Sequence, residues 1–310
     1  MALIKVNNRG QSADFDEVQR GIQSKNLIMN GDFRVWQRPN SGTSVSLNTL
    51  GPDRWAVRGG SAMTLTSRTD YGTPKCLLAQ STGGTNVGIG QRIEAINCKR
   101  FAGQQCTISY YLRADFPAYH NLLIYYANAE DNHGGGQTNF VNTAKSYTSN
   151  VVTQITHTFT MPANAANGIE VILQWFDGGA GAFNLTAFIW DVQLELGDTA
   201  TTYERLDIST QTQQCERYYQ QVMLGNRLDV HRESGTSSVH FIPFKTEMRA
   251  SPSLGLTRNS TVYGPVNTGA GQGGLDPANT SKYATSIYVY TSGTPAQVGV
   301  LCDIYAESEL

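Results

Sequence analysis

The sequence predicts an all-β protein: a jelly-roll β-sandwich followed by a second, smaller β-domain, with a short N-terminal attachment arm. Glycine is abundant, at 31 of 310 residues, and charged residues make up only 15% of the chain. Apolar residues alternate with polar ones in short runs, as in half-buried strands, instead of recurring at every third or fourth position. Clusters of Gly, Asn, Asp and Pro, which favour turns, separate these runs.

The N-terminal arm comprises residues 1–25 and is too short to bury a core of its own. It opens with a β-like run, and farther on it carries apolar residues at the three- and four-residue spacing of an amphipathic helix. Two roles remain open: attachment to a larger particle, or packing on the protein's own domain or a neighbouring subunit. The attachment candidates are Ile4, Val6, Phe15, Val18 and Ile22.

The segment 26–208 contains about eight predicted strands, the number typical of a jelly roll. Glycine-rich stretches at 132–137 and 177–181 interrupt them and predict loop tips, because glycine readily adopts positive φ. The predicted strands are 55–58, 62–66, 87–93, 106–113, 122–126, 154–160, 168–176 and 187–196.

The segment 209–310 predicts the second β-domain, and the polar stretch 197–207 before it predicts a connector. Its predicted strands are 238–244, 253–256, 286–290 and 298–305. The Gly- and Asn-rich stretch 263–279 predicts an exposed loop. Periodicity does not decide between helix and strand over 209–224.

Charge and hydropathy exclude several partners. The 23 basic and 25 acidic residues nearly cancel, so we expect no nucleic-acid partner. No stretch approaches the roughly 18 apolar residues of a membrane span, so we expect no membrane insertion. The N-terminus lacks the apolar core of a signal peptide, which argues against classical secretion.

Five cysteines, at positions 76, 98, 106, 215 and 302, form no CxxC pair. This spacing predicts buried free thiols instead of a metal site or a disulfide framework. A disulfide between Cys98 and Cys106 is the less favoured alternative, because a reducing cytoplasm opposes it.

No constellation for catalysis stands out, so the sequence predicts a protein that is not an enzyme. Glycoside cleavage needs two carboxylates about 5 to 9.5 Å apart. Asp191 and Glu195 are the best pair, but four residues of strand separate them by about 13 Å. Both are therefore predicted to lie on the solvent face of an edge strand. The five histidines and the serines show no HExxH or GxSxG spacing.

Sugar binding requires an exposed aromatic ring with amide and carboxylate groups around it. Trp175, beside Asp177, is one candidate place. Tyr125 and Tyr126, which lead towards Asp131 and His133, form the other. For each aromatic the competing interpretation is a place in the core, which is more common for strand aromatics.

Three motifs in fixed order carry a family resemblance: residues 26–33 (NLIMNGDF), 53–55 (DRW) and 190–197 (WDVQLELG). Together they resemble the galactose-binding-like jelly-roll module of bacteriophage tail-fibre and other virion proteins, which is similar to the carbohydrate-binding modules of glycoside hydrolases. Residues 214–220, 244–252 and 305–310 resemble the second half of the same proteins, particularly in phages of marine cyanobacteria. The resemblance covers most of residues 26–310 and favours an extended form for 209–224.

The resemblance implies a non-enzymatic virion protein of a tailed phage, a tail fibre or appendage that contacts host surface polysaccharide. It implies assembly in the host cytoplasm, attachment to other virion proteins through the arm, and a homotrimer. One alternative is a capsid decoration or fibre protein, or a tail adaptor, that binds no sugar. A second alternative, a glycan depolymerase, is less favoured because the sequence lacks a suitable pair of carboxylates.

The resemblance also implies roles for individual residues. Asp32 and Asp191 fall where related modules place a structural Ca²⁺ between the first and last strands, so they are candidate metal ligands; no other cofactor is implied. Trp36, Trp55 and Trp190 lie within the motifs that define the module. They are therefore expected in the core.

Overall fold

The computed structural model describes residues 25–115, 119–176, 181–231, 237–263, 275–290 and 297–310. The chain divides into two compact units: Met1–Gln211 together with Leu310, and Thr212–Glu309. The sequence placed the boundary near residue 208, three residues before the observed division. The arm candidates Ile4, Val6, Phe15, Val18 and Ile22 lie outside the described residues.

The first unit is built from short antiparallel strands. They are β1 (Thr43–Val45), β2 (Ala56–Gly59), β3 (Met63–Arg68), β4 (Cys76–Gly84), β5 (Asn86–Ile93), β6 (Gln105–Ala114), β7 (Tyr119–Ala127), β8 (Gln137–Lys145), β9 (Thr153–Thr160), β10 (Ile169–Phe176) and β11 (Phe183–Leu196). All eight predicted strands are present. The structure adds β1, β4 and β8.

These strands form two sheets, in the orders β1-β3-β4-β11-β6-β9 and β2-β5-β10-β7-β8. Alternate residues of both sheets fill one apolar core, which includes Phe33, Trp55, Ile89, Leu173 and Trp175. Burial of alternate residues is what the period-2 patterning requires of stacked sheets. The predicted fold class, an all-β jelly-roll sandwich, is confirmed.

The strands that sequence reasoning missed have a physical explanation. β1 and β8 lie at sheet edges, where one side of the backbone is solvated and side chains need not be apolar. The β8 sequence, QTNFVNTAK, is accordingly polar. β4 ends in Ser-Thr-Gly-Gly, which has the composition of a turn although it pairs as a strand.

Helices are short. α1 (Ala95–Cys98) and a 3₁₀ turn (Ala163–Asn167) lie in the first unit, and α2 (Ile208–Glu216) spans the division between the units. None of the helices in the described ranges has the length and apolar character needed to cross a membrane.

The second unit continues with β12 (Tyr219–His231), β13 (Ser237–Pro243), β14 (Ser253–Tyr263), β15 (Leu275–Thr280), β16 (Ala284–Tyr290) and β17 (Gln297–Glu307). They form two three-stranded sheets, β12-β17-β14 and β13-β16-β15. All four strands predicted for this domain are present.

Two expectations for this part of the chain were wrong in part. The extended form favoured over 209–224 is replaced by α2 up to Glu216, whereas β12, which begins at Tyr219, is extended as expected. Asp207 favours the helix, because its carboxylate accepts hydrogen bonds from the Ser209 amide (2.8 Å) and hydroxyl at the helix start. The predicted loop 263–279 contains β15, which pairs with β16. Residues 264–274 lie outside the described ranges.

Residues 26–33 join the start of the sandwich to its last strand, and we call this segment the clasp. The Asn26 side-chain oxygen accepts a hydrogen bond from the Leu194 amide (2.9 Å), and its Nδ2 donates to the Val192 carbonyl (3.1 Å). Asn30 Nδ2 donates to the carbonyls of Val35 (2.8 Å) and Asp53 (2.9 Å). These amides replace ladder hydrogen bonds that an irregular segment cannot make.

The tryptophans of the motifs are less uniform than expected. Trp55 is fully buried in the core, and its ring nitrogen donates to the Asn30 carbonyl (2.9 Å). Trp36 is half-buried against the core cluster. Trp190 is buried, but on the opposite face of β11, where its ring stacks on Tyr71 and Tyr111. The expected burial of Trp190 is thus met, although its ring lies outside the main core cluster.

The cysteine prediction is confirmed for the four cysteines whose side chains are described. Cys76, Cys98, Cys106 and Cys215 are buried and free, so the alternative Cys98–Cys106 disulfide is not formed. Burial raises the pKa of the Cys98 thiol to about 12, which keeps it protonated and unreactive.

Candidate functional site

The outer face of the five-stranded sheet carries the largest set of polar side chains that the strands bring together. Core residues of β10, such as Val171 and Leu173, alternate with Glu170, Ile172 and Gln174, which point away from the core. The same alternation operates in β5 and β7. We call this surface, formed by the outward residues of β2, β5, β10, β7 and β8, the outer face.

Strand register places four polar residues in one row across this face. Arg92 of β5 lies opposite Glu170 of β10, which lies opposite Tyr125 of β7. Tyr125 in turn lies opposite Asn139 of β8. Directly opposed side chains on one face are about 5 Å apart and interact. A cation, an anion, a phenol and an amide therefore form a continuous line.

Two glycines of β5 shape the neighbouring part of the face. Gly88 and Gly90 lie opposite Arg58 and Ala56 of β2, and the Arg58 side chain passes over Gly90 towards Glu170. A Cβ on Gly90 would lie 3.0 Å from Arg58 Cγ and 2.9 Å from the Val171 carbonyl oxygen. The absence of a side chain at this position therefore allows the ion pair to form.

Glu170 is the centre of a buried charge cluster. Its Oε1 accepts hydrogen bonds from the Nε atoms of Arg58 and Arg92 (3.2 Å for Arg92), and its Oε2 accepts one from Gln137 Nε2 (2.8 Å). Burial opposes ionisation of the carboxyl group, but the charges of Arg58 and Arg92 outweigh it and hold the pKa of Glu170 below its ordinary value. The carboxylate is thus ionised and fully engaged.

His133 closes this cluster from the loop between β7 and β8. Gln137 Nε2 lies 2.9 Å from His133 Nδ1; since an amide nitrogen only donates, Nδ1 is the acceptor and the proton lies on Nε2. Burial and the nearby arginines lower the pKa of His133 to about 4, so the ring is neutral at pH 7. Nε2 is buried and has no hydrogen-bond partner in the described part of the chain.

The rest of the outer face carries an apolar row, a row of amides and an aromatic. Beside the row of Glu170 and Tyr125, Ile172 lies opposite Leu123, and both are buried. In the next row Gln174 lies opposite Asn121, whose Nδ2 donates to Asn142 Oδ1 (3.3 Å). Phe176, at the far end of β10, is half-buried and lies about 20 Å from the row of Tyr125 at the usual rise. The face therefore has an aromatic ring at each end, with an apolar row and amides between them.

The structure separates the predicted sugar-binding residues. Tyr125 and His133 lie on the outer face, as described. Trp175 is fully buried in the core, so its ring is not open to solvent and the core interpretation is the one that the structure supports. Tyr126 is half-buried and faces the opposite side of β7 from Tyr125, where it packs against the core beside Phe140.

The two predicted aspartates of this group do not join the site. Asp131 lies beside α1, where its Oδ1 accepts a hydrogen bond from the Ala95 amide (2.7 Å). Its role is to hold a helix start. Asp177 lies outside the described residues.

The candidate calcium ligands Asp32 and Asp191 do come together, but arginines occupy the space between them. Arg205 donates to Asp32 (3.3 Å) and to both oxygens of Asp191 (3.0 and 3.1 Å). Asp32 also pairs with Arg34 and accepts a hydrogen bond from Gln211 Nε2 (2.7 Å). The guanidinium groups of Arg34 and Arg205 thus supply the positive charge that the expected Ca²⁺ would bring to these carboxylates. No group of three or more His, Cys, Asp or Glu in the described ranges is arranged for a metal ion.

The acid pair considered for catalysis is also engaged elsewhere. β11 is a central strand, so the expectation of an edge strand was wrong. Glu195 is buried and accepts hydrogen bonds from the Thr201 amide (2.8 Å) and hydroxyl (2.7 Å). Together with the Asp191–Arg205 pair, these contacts assign both carboxylates to the connector that follows β11.

Sequence reasoning missed Arg58, Arg92, Glu170 and Gln137. A signal was present: in β5 and β10, glycines and charged residues alternate with apolar ones. That pattern predicts a strand with one polar face, but it does not say which strands are neighbours. The cluster appears only when the order β2-β5-β10-β7-β8 is known.

No protein-family model matches the chain, and no curated protein matches it in sequence. Several solved structures resemble it in fold. A family 4 carbohydrate-binding module is 24% identical over 47% of this chain and 97% of its own, with a TM-score of 0.33. The CBM22-1 xylan-binding domain of Paenibacillus barcinonensis Xyn10C is 14% identical over 53% of this chain and 100% of its own, with a TM-score of 0.37.

A third similar structure comes from a virus. The enzymatically active domain of tailspike protein 4 of bacteriophage CBA120 is 14% identical over 56% of this chain, with a TM-score of 0.39. The match spans 22% of that chain.

Proposed function

We propose that this protein binds a polysaccharide through the outer face of the five-stranded sheet. The observation that carries the proposal is the row that places Tyr125 beside Asn139 and Glu170. An aromatic ring stacks against the apolar face of a sugar, and neighbouring amides hydrogen-bond its hydroxyl groups. The face is about 20 Å long by strand rise, enough for several sugar units.

We further propose that the chain is a virion protein of a tailed phage, a tail fibre or appendage, and that the polysaccharide belongs to the host surface. The motifs 26–33, 53–55 and 190–197, through their resemblance to such proteins, support this placement. Attachment through residues 1–25 and a homotrimeric state belong to the same proposal. Immunogold labelling of intact particles tests it, and a capsid position would contradict the tail assignment.

The proposed action is binding without cleavage. The engagement of Asp191 by Arg205, of Glu195 by Thr201 and of Glu170 by two arginines supports it, because a catalytic acid or nucleophile must reach the substrate. Incubation of the protein with host envelope polysaccharide should release no reducing sugar. Release at a rate above that of a heat-denatured sample would favour a depolymerase instead.

Affinity electrophoresis of the full chain in gels that contain host envelope polysaccharide tests the binding proposal. We expect retardation of the wild type and its loss in Tyr125→Ala, because stacking of one aromatic on a sugar is worth about 1–3 kcal/mol, roughly 5- to 150-fold in Kd.

Tyr71→Ala is the matched control. Tyr71 is 41% exposed and stacks on Trp190, on the sheet opposite the outer face. We expect this variant to bind as the wild type does. If the wild type is not retarded and does not compete with phage adsorption, the binding proposal fails.

A further inference from the structure

One end of the outer face holds more hydrogen-bond donors than acceptors. Arg58 and Arg92 converge there on a single carboxylate, Glu170. The side chains of Gln137 and His133 lie against the same group. We call Arg58, Arg92, His133, Gln137 and Glu170 the donor cluster.

The acceptor atoms of Glu170 and His133 are already taken. Both Glu170 oxygens accept from Arg58, Arg92 and Gln137. Arg58 Nη1 donates in addition to Asn48 Oδ1 (3.2 Å), and Arg92 Nη1 donates to the Leu310 carbonyl oxygen (2.9 Å). A guanidinium has five N–H donors, so each arginine keeps donors beyond these bonds.

His133 supplies an independent observation. The residue is 6% exposed, and its Nε2, which carries the proton, has no hydrogen-bond partner in the described part of the chain. A buried N–H without an acceptor is unfavourable, because it has lost its hydrogen bond to water. Each such group in a folded protein calls for an explanation, and a bound group that accepts the hydrogen bond is one.

We propose that the donor cluster binds the carboxylate of an acidic sugar, so that the polysaccharide recognised by the outer face contains uronic acid. The inference rests on the proposed function, because it names the class of glycan that the same face takes. Tyr125, opposite Glu170, stacks on the ring of the sugar whose carboxylate meets the arginines.

The chemistry of the ligand explains why a carboxylate fits better than a neutral hydroxyl group. A hydroxyl group also carries a proton to donate, and the charged acceptor of the cluster, the Glu170 carboxylate, is already engaged by three donors. A carboxylate only accepts, and its two oxygens match the planar fork of a guanidinium. Charge-assisted hydrogen bonds of this kind are worth about twice a neutral one.

The test compares acidic polysaccharides with the same polymers after chemical reduction of their carboxyl groups. Polygalacturonate, alginate and hyaluronan are each used in both forms, and binding to the full chain is measured by affinity electrophoresis and calorimetry. We expect at least one acidic form to bind and its reduced form to bind about tenfold or more weakly, the loss of one charge-assisted contact.

Substitutions tie the binding to the donor cluster. Arg92, which is half-buried, is changed to Gln and to Lys. We expect about tenfold weaker binding for Arg92→Gln. The loss should be smaller for Arg92→Lys, because lysine keeps the charge but lacks the planar guanidinium that binds a carboxylate through two N–H groups. His133→Phe removes the N–H and should also weaken binding. Arg68→Gln is the matched control, since Arg68 lies at the end of β3 in the other sheet, is exposed and pairs with Asp70.

Each outcome separates this inference from the proposed function. Equal binding of acidic and reduced forms, or binding of neutral polysaccharides alone, overturns the inference and leaves glycan binding intact. Binding of dextran sulfate that equals the acidic forms and is equally lost in Arg92→Gln shows general polyanion binding and also overturns it. Absence of binding to every polysaccharide, host envelope included, overturns both. Near-UV circular dichroism of each variant confirms that it is folded.

Discussion

Asn30 shows how a single side chain can define the start of the sandwich. It is buried with φ of 52°, a conformation that asparagine tolerates better than most residues. Its side-chain oxygen accepts a hydrogen bond from the Val35 amide (3.0 Å), and its amide donates to the carbonyls of Val35 and Asp53. The short motif therefore has a structural role in which its side chains hold backbone groups of the sandwich.

We predict that Asn30→Ala lowers the free energy of unfolding by about 3 kcal/mol, because it leaves buried backbone groups without partners. Urea unfolding followed by tryptophan fluorescence measures the change. Asn150→Ala is the control: Asn150 also has positive φ (62°) but is exposed, so we expect a change below about 1 kcal/mol. Equal losses of unfolding free energy in both variants would mean that the strained backbone, and not the hydrogen bonds of the clasp, accounts for the loss in Asn30→Ala.

His120 is a titratable residue inside the core. Its Nε2 accepts a hydrogen bond from the Tyr110 hydroxyl (2.6 Å), and its Nδ1 donates to the Gln174 carbonyl (3.0 Å). Burial lowers its pKa from 6.5 to about 3. The folded state therefore keeps His120 neutral at pH values where the unfolded chain binds a proton.

We predict that this residue contributes to acid lability. Stability from neutral His120 is complete above pH 6.5 and is lost as the pH falls towards 3, at up to about 1.4 kcal/mol per pH unit. Urea unfolding between pH 7 and 4 should give a shallower pH slope for His120→Gln than for the wild type. The absolute stability of the variant will also fall, so only the slope tests the prediction. Identical slopes would contradict it.

At the scale of elements, β14 and β17 pack through a glycine and an aromatic. Gly255 lies opposite Tyr305, and a Cβ on Gly255 would lie 1.8 Å from the Tyr305 ring. The ring thus covers the glycine and packs against Tyr219 on the far side, with centroids 5.9 Å apart. An aromatic laid across a strand glycine compensates for its missing side chain.

We predict that Gly255→Ala destabilises the second unit by about 2 kcal/mol or more, since the ring must move out of its site. Hydrogen exchange of β14 and β17 amides, read by mass spectrometry, should quicken while exchange in β10 stays unchanged. Gly134→Ala, where the added Cβ meets only Asn132 Oδ1 at 4.0 Å, should alter neither region.

Elements differ in how well the sequence predicts them. Strands with strict alternation, such as β5 and β10, are evident, because one face is buried and the other is not. β8 and α2 are not evident from the sequence. An edge strand needs no apolar pattern, and a nine-residue helix has too few turns to show a helical repeat of apolar residues. The donor cluster could not be predicted at all: Arg58, Arg92 and Glu170 meet only through pairing of strands that are distant in sequence.

At the scale of the whole molecule, the end of the first unit is set by Gln211. Its Nε2 donates to Asn30 Oδ1 (3.1 Å) and Asp32 Oδ1 (2.7 Å), and its Oε1 accepts from Arg34 (2.7 Å). A boundary near 208 would remove these three contacts.

We predict that a fragment of residues 25–208 is less stable than one of residues 25–216 by about 2–3 kcal/mol, because buried polar groups lose their partners. All four tryptophans lie at positions up to 190, so their fluorescence reports unfolding of both fragments in urea. The variant Gln211→Ala in the longer fragment should reproduce most of the loss. If the two fragments unfold at the same urea concentration, Gln211 does not define the boundary.

The clasp also bears on the order in which the chain can fold. Asn26 binds Val192 and Leu194, residues 166 and 168 positions later. At about 5–20 residues per second, synthesis of that interval takes roughly 10–30 s. During that interval the first motif has no partner in the last strand, and contacts this distant in sequence also form slowly. A ribosome-bound chain halted before residue 190 should therefore remain open to protease at its first motif, and lengthening the chain past 211 should close it.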